Sequence, residues 1–309
     1  MGEDYPRTLM DVEKRFAGDG ACREYLFALR WPEGFICPRC AGRSGWAMSR
    51  GLWLCRGCRR QVSVTSVTIF QDRKLPLTTW FRAMWYVTSQ KNGASALGLQ
   101  RVLGMGSYKT AWALQHKLRR AMVRPGRDRL MGSVEVDETY WGADGRPVIG
   151  RLTYDKALIA IAAQQDGRGI GRIRLRRILD VTKASLHGFI AETVEPGSTV
   201  ITDGLNIYQG MKGYLHQAIV VKSQSADAST LLPRVHRVAS LLKRWLLGTH
   251  QGAVGHEYLN YYLDEFTFRF NRRKSASRGN LFYRLAQQAV HVDPVPFGSL
   301  VQPQPVGGG

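Results

Sequence analysis

Nowhere in its 309 residues does the chain carry an apolar run approaching the ~18 residues that a membrane-spanning helix requires. Its opening, MGEDYPRTLMDVEKRF, is charged and lacks the apolar stretch of a secretory signal, so a cytosolic protein is expected. No G-x4-G-K-[ST] loop occurs, so no ATP is expected. His256-Glu257 opens an HExxH-like string, but Asn260 stands in place of the second histidine, and a zinc-protease reading fails. Acidic residues are scarce: 24 Asp and Glu against 44 Lys and Arg leave a formal charge of +20. An excess of that size points to a polyanionic partner, nucleic acid before an anionic membrane surface, because neutralising phosphates releases condensed counterions. A hydrophobic content of 44% excludes disorder of the whole chain, and the length allows about two domains.

Cysteine is also scarce, yet four of the five residues form one pattern. Cys37, Cys40, Cys55 and Cys58 make C-x2-C, fourteen intervening residues, and C-x2-C, with Cys22 left over. Each C-x2-C turn sets two thiolates on one side, and two such turns complete the tetrahedral sulfur set of structural zinc. Two disulfides are the alternative; the missing secretion signal and the odd count argue against them. Trp46, Trp53 and Leu54 suit the strands of a zinc ribbon. Arg39, Arg43, Arg50, Arg56, Arg59 and Arg60 make it basic enough to reach phosphates, unless they are merely solvated around a structural module.

Beyond the ribbon, Val62 to Phe70 reads as the end of a strand and Pro76 as the opening of a helix. Leu77, Trp80, Phe81, Met84, Trp85 and Val87 recur at helical spacing and form a core face. Next come a helix, a Gly104-Met105-Gly106 turn with Ser107 as N-cap, and a second helix with Lys109, His116, Lys117, Arg119 and Arg120. The pair resembles a helix-turn-helix, which sets its second helix in the major groove, although any basic helical hairpin reads the same way. Lys109, Lys117, Arg119 and Arg120 are the candidate DNA contacts, and His116 is expected at the surface.

From about Leu130 the pattern turns to alternating strands and helices. SVEVDETYWG, KALIAIAAQQ and GRIRLRRIL read as three consecutive strands, the last with Arg172, Arg174 and Arg176 on one face. A helix over about 184–193, the strand STVITDG, the strand LHQAIVV and a helix from Pro233 to a stop at Gly248 complete an order that suggests an RNase H-like α/β fold. An acid within an apolar strand, as Asp137 is, needs a partner or a cation. Asp203 ends its strand, where open α/β sheets present functional groups. If the two strands are neighbours, the carboxylates converge and suit a hard divalent ion, with paired ions serving phosphoryl transfer. Glu135 shares a face with Asp137 and is either an acid supporting it or a solvated strand residue. Past Gly248, Tyr258, Tyr261, Tyr262, Phe266, Phe268 and Phe270 read as core, Arg272-Arg273-Lys274 as a candidate phosphate contact.

The order CPRC…CRGC, helical linker, VEVDETYWG, VITDG, VHRVASLLKRWLLGTHQG and YLDEFTFRFNRR resembles bacterial insertion-sequence transposases of the DDE type, over roughly residues 31–285. It is similar to the zinc-ribbon group that is the counterpart of the eukaryotic Merlin transposons. The resemblance implies a polynucleotidyl transferase that binds the terminal inverted repeats of its element, frees 3′ hydroxyls and joins them to target DNA. It implies Mg²⁺ or Mn²⁺ as a pair of catalytic ions beside the structural Zn²⁺, and places metal-binding carboxylates on Asp137 and Asp203. The third position, usually Glu, falls on His236, with 32 residues between it and Asp203, a DDH-type variant. Imidazole favours softer ions than Mg²⁺, so His236 is a ligand better suited to Mn²⁺ or an acid/base group, with Glu257 or Glu265 as alternative third acids. Lys243, seven residues on, shares its helical face and reaches toward a phosphate.

The expected organisation is an N-terminal helical segment (1–30), the zinc ribbon (31–70), a helix-turn-helix-like domain (71–128), an RNase H-like core (129–290) and a disordered tail (291–309). The expected partners are element ends and target DNA, with a homodimer or higher oligomer assembled on them, in a bacterial cytoplasm and on its nucleoid. A DNA-binding regulator or inactive domesticated transposase is the alternative, and a structure-specific nuclease of the same fold a second.

Overall fold

A computed structural model describes residues 4–124, 126–142, 156–219 and 231–301. The chain divides into two compact units, one made of residues 1–124 with 274–301 and the other lying within 125–273.

In the first unit, α1 (Leu9–Arg15) and α2 (Asp19–Arg30) precede the cysteine segment. Thr8 and Asp11 close a reciprocal capping box on α1. The cysteine segment forms β1 (Gly45–Ala47), β2 (Leu52–Cys55) and β3 (Gln61–Ser63), an antiparallel sheet in sequence order. Its inner face stacks Trp53 between Phe27 and Phe35, at ring distances of 4.7 and 5.4 Å. The strand expected to run to Phe70 ends at Ser63. The hydroxyls there turn inward on their own backbone: Ser63 Oγ accepts from Thr65 N–H, Ser66 Oγ donates to Ser63 O, and Thr68 Oγ1 donates to Thr65 O. Such local bonds compete with a strand ladder and make a turn.

Three helices follow, α3 (Leu77–Ser89), α4 (Ala96–Val102) and α5 (Tyr108–Ala121), and the apolar stripe read on α3 is buried. The second unit begins after them with β4 (Ser133–Trp141), β5 (Ala157–Asp166) and β6 (Gly169–Ile178), an antiparallel meander. Helix α6 (Lys183–Thr193) then leads to β7 (Thr199–Thr202), which pairs parallel with β4, and β8 (Leu215–Ala218) pairs parallel with β7. The spatial order is β6-β5-β4-β7-β8. Val220 and Val221, expected in the last strand, lie outside the described residues.

Strand β5 is buried on both faces, as its continuous apolar run requires. On one face Val134, Val136, Ala160 and Ala162 pack against Leu186, Phe189 and Ile190 of α6. On the other, Ile159, Ile161, Ile173 and Leu175 pack against α7 (Pro233–His250) and α8 (Leu259–Asn271). Helix α7 runs past the expected stop at Gly248 and ends on Gln251, which takes the left-handed conformation (φ 52°) expected of a glycine.

The edge strand β6 is closed by α8. Asn271 accepts from Ile173 N–H at 2.8 Å and donates to Ile173 O at 3.2 Å, while Asn260 accepts from Arg177 N–H at 3.0 Å. The arginine stripe of β6 is engaged as well: Arg172 bonds Arg129 O and Gln164, Arg174 bonds Asp128 O, and Arg176 pairs with Glu192 of α6.

After Arg273 the chain returns to the first unit. Helix α9 (Arg278–Ala289) packs there, with Phe282 among Phe16, Tyr25 and Phe81 at ring distances of 5.8–6.3 Å. The expected domain reaching residue 290 is therefore corrected at this end. The expected disordered tail is corrected too over 291–301: Val292, Val295 and Leu300 are buried and α10 (Phe297–Val301) forms, because these apolar residues interrupt the Pro/Gly-rich pattern at core spacing. Residues 302–309 lie outside the described residues. Among the described residues no helix is long and apolar enough to cross a membrane.

Candidate functional site

The parallel pairing of β4 with β7 decides where the two strand acids go. Glu135 is in register with Ile201, the last pair of this ladder; Asp137 follows two residues later on β4, and Asp203 follows two residues after Ile201, just past the end of β7. Both acids therefore stand toward the carboxyl edge of the two parallel strands, where open α/β sheets present functional groups. Immediately after Asp203 the chain turns on Gly204, whose φ of 81° a side-chain-bearing residue rarely adopts. Asp203 Oδ1 accepts from Leu205 N–H at 3.2 Å, and Thr202 Oγ1 accepts from Gly204 N–H at 3.3 Å. Asp137 Oδ1 accepts from Glu138 N–H at 2.8 Å.

Burial, followed by the charge of Glu138, pushes the Asp137 pKa up to about 7; Asp203 and Glu135 add to this, and the Glu138 N–H opposes it. A carboxylate crowded by carboxylates in this way gains from a cation. On the opposite face of β4, Glu138 accepts from the buried Tyr208 hydroxyl at 2.8 Å, and that carboxylate helps hold the tyrosine protonated.

His236 in the first turn of α7 brings Nε2 to 3.8 Å from Asp137 Oδ2, with its side chain 36% exposed. The alternative third acids are placed otherwise: Glu265 is buried on α8 and accepts from Arg269 Nε at 2.9 Å, and Glu257 lies in the short turn before α8. Lys243 is half-buried further along α7. Burial lowers its pKa, and the like charge of Lys156 lowers it further. Among the described residues, the four cysteines alone bring three or more Cys, His, Asp or Glu ligand atoms within 4.8 Å of one another. Asp137, Asp203 and His236 do not meet that distance together, although His236 approaches Asp137 and Asp203 adds to the charge acting on it.

The cysteine cluster has the dimensions of a tetrahedral thiolate site. Cys37 Sγ lies 3.7 Å from Cys58 Sγ and Cys40 Sγ 3.6 Å from Cys55 Sγ. Bonds of ~2.3 Å to a central zinc put sulfurs about 3.8 Å apart. Desolvation opposes ionisation of Cys37, but the N–H groups of Cys40 and Arg39 and the facing Cys58 bring its pKa down to about 6. The Gly42 N–H favours the Cys40 thiolate, yet crowding by Cys55 and Cys58 pushes that thiol up to about 11. Cys22 is buried away in α2, where burial raises its pKa to about 12.

Of the expected DNA contacts on α5, Lys109 is exposed, and Lys117 and Arg120 are half-buried. Lys109 and Lys117 line a cavity of about 730 Å³ together with Arg73, Lys74 and Trp80. Arg119 is corrected: it is 1% exposed and points into the unit's interior, with Nη1 3.2 Å from His116 Nε2. His116, expected at the surface, is itself fully buried. Both lie on the apolar side of a helix whose buried residues also include Ala111, Leu114 and Leu118, so basic character hid the inward face.

Arg272 and Arg273 fold back over Phe268 and Phe270 at 4.0 Å. Arg273 also donates to Gly171 O at 3.2 Å and so ties the end of α8 to β6, Arg272 donates to Phe268 O of its own helix, and Lys274 is exposed. Sequence reasoning left Glu135 unassigned and did not single out Arg234; the structure joins them by an ion pair of 2.7 Å. Their signal was present only as a charge of each sign two residues before Asp137 and His236.

The comparisons with known proteins agree in kind. The ISXO2-like transposase domain matches residues 129–271 and the transposase zinc-ribbon domain residues 18–61. An uncharacterized protein in transposable element ISH50 of Halobacterium salinarum is 26% identical over 277 residues, covering 83% of this chain and 92% of that protein. A chain from the cryoEM structure of the simian T-cell lymphotropic virus intasome in complex with PP2A regulatory subunit B56 gamma gives a TM-score of 0.32 at 13% identity. It covers 69% of this chain and 76% of that chain, a likeness too low to carry an argument. The chain thus carries a transposase zinc-ribbon domain followed by an ISXO2-like transposase domain, and its relative is a protein of a transposable element.

Proposed function

We propose that the protein is a DNA transposase that binds the terminal inverted repeats of its element and carries out metal-dependent cleavage and strand transfer. The observation that carries this reading is His236 Nε2 at 3.8 Å from Asp137 Oδ2, and the parallel pairing of β4 with β7, which Asp137 and Asp203 each follow by two residues, supports it. The meander, the crossover helix and the strand order β6-β5-β4-β7-β8 support an RNase H-like core.

Asp137, Asp203 and His236 are the donors for divalent metal, Mg²⁺ or Mn²⁺, in a two-ion arrangement. Bound there, the metal neutralises the scissile phosphate and activates the attacking hydroxyl. Asp137 needs that charge most, since burial and three neighbouring carboxylates already disfavour its ionised form. Lys243, on the same helix as His236, orients a phosphate near the metal. His236 contributes a nitrogen donor, which suits Mn²⁺ better than Mg²⁺.

Zinc closes the Cys37, Cys40, Cys55 and Cys58 ribbon. The ribbon, Lys109, Lys117, Arg120 and Lys274 serve double-stranded DNA, and α4–α5 acts as a helix-turn-helix-like unit. Pairing two element ends calls for a dimer or larger assembly. The protein works in the bacterial cytoplasm on nucleoid DNA and needs no ATP.

The test is nicking and joining of labelled element ends by the purified full chain with Mg²⁺ and then Mn²⁺, alongside Asp203→Asn and His236→Ala. The proposal expects both variants to bind ends normally and to lose joining at least 100-fold. Joining preserved in Asp203→Asn would remove the assigned site. No joining by the unaltered chain under either metal, in protein that binds the ends, would favour a DNA-binding regulator or an inactive domesticated transposase.

A further inference from the structure

The first turn of α7 is held by a residue of the sheet. Its N-cap, Leu232, supplies no side-chain acceptor, and Pro233 carries no N–H. The next two backbone donors, Arg234 N–H and Val235 N–H, both go to Glu135 Oε2 of β4, at 2.7 and 3.0 Å. Arg234 Nη1 bonds the other oxygen, Oε1, at 2.7 Å. The same guanidinium then reaches the β5–β6 hairpin, with Nε to Gly169 O at 3.1 Å and Nη2 to Gly167 O at 3.3 Å. Glu135 is only 3% exposed.

A buried carboxylate is a costly cap for a helix when Ser, Thr, Asp or Asn at the N-cap satisfies the same donors locally. A local cap fixes the helix's own first turn and nothing else. A cap reaching in from β4 also fixes the position of that turn along the strand. Glu135 stands two residues before Asp137 on one face of β4, and Arg234 two residues before His236 on α7. The bonds between Glu135 and the helix therefore set the distance between the next pair, His236 and Asp137.

We propose that Glu135, through Arg234 and the first turn of α7, is the positioning residue that sets His236 against Asp137 and so fixes the geometry in which these groups take a divalent cation. The inference rests on the metal-site reading above and adds to it the device that aligns the site. Groups that orient a metal ligand typically alter affinity 10- to 100-fold when changed, and Glu135 acts on His236 through the backbone of the two residues before it.

The experiment is a Mn²⁺ titration of the full chain, read by electron paramagnetic resonance without DNA. The proteins are the unaltered chain, Glu135→Gln, His236→Ala, the double variant and Asp203→Asn, each checked by a melting curve. The expected result is a midpoint about 10-fold higher in Glu135→Gln, and no further shift when Glu135→Gln is added to His236→Ala, because a residue acting through His236 has nothing left to align. An equal shift in both backgrounds, or none in the folded single variant, overturns the proposal. If Glu135→Gln does not fold, Arg234→Lys takes its place: it loses the hairpin contacts but keeps the backbone cap, and a smaller shift that vanishes in His236→Ala is expected. A Mn²⁺ signal unaffected by Asp203→Asn and His236→Ala alike would overturn the metal site itself, and the alignment with it.

Discussion

Arg119 and Lys109 lie ten residues apart on one basic helix, and burial alone separates their roles. Arg119 is enclosed beside His116, whereas Lys109 faces solvent at the mouth of a cationic cavity. Arg119→Ala leaves a buried site without its donor and is expected to destabilise the protein by about 2–4 kcal/mol in chemical denaturation. Lys109→Ala is expected to leave stability within about 0.5 kcal/mol and to weaken DNA binding, with a shallower salt dependence. The opposite pattern would return Arg119 to the DNA face. At this scale the sequence was informative about chemistry and silent about direction. Asp137 stood out as an acid within an apolar strand, Asp203 as an acid at a strand end, and His236 only through the resemblance to a transposase family, but the placement of Glu135 depends on a contact across 99 residues.

Periodicity made most of the secondary elements legible, and side chains bonding to backbone account for most of the differences. The hydroxyls of Ser63, Ser66 and Thr68 convert an apparent β-branched strand into turns. The edge of β6 is managed in a similar way, by Asn260 and Asn271 of α8 standing where a further strand would bond. No local pattern announces that, since an asparagine in a helix reads as polar surface. Asn271→Ala removes both bonds to Ile173 and is expected to cost about 1–3 kcal/mol. It also uncovers part of the strand edge, so light scattering on heating is expected to rise. Unchanged stability would mean that the edge is closed by packing alone.

Across the whole molecule, residues 274–301 share one unit with residues from before position 125. Phe282, late in the sequence, packs among Phe16, Tyr25 and Phe81, and no spacing rule links them. The expectation of a core through residue 290 followed a resemblance that runs to about residue 285 and a Pro/Gly-rich tail beyond it, and neither says on which unit the intervening helix packs. Phe282→Ala is expected to cost about 3–5 kcal/mol of the first unit's stability. In denaturation followed by hydrogen exchange, protection is expected to fall in α1–α3 while the β4–β7 strands keep theirs; loss confined to the strands would contradict the assignment of residues 274–301.

An anomalous difference map from crystals soaked in Mn²⁺ tests whether Asp137, Asp203 and His236 form one divalent cation site at the carboxyl edge of the sheet. The proposed site requires a peak between the two carboxylates, close to the ~2.0–2.1 Å contact distance of a small divalent ion, with His236 Nε2 turned onto it and the peak lost in Asp203→Asn. Peaks only at the cysteine cluster or elsewhere on the surface, with Asp137 and Asp203 unliganded, would contradict it.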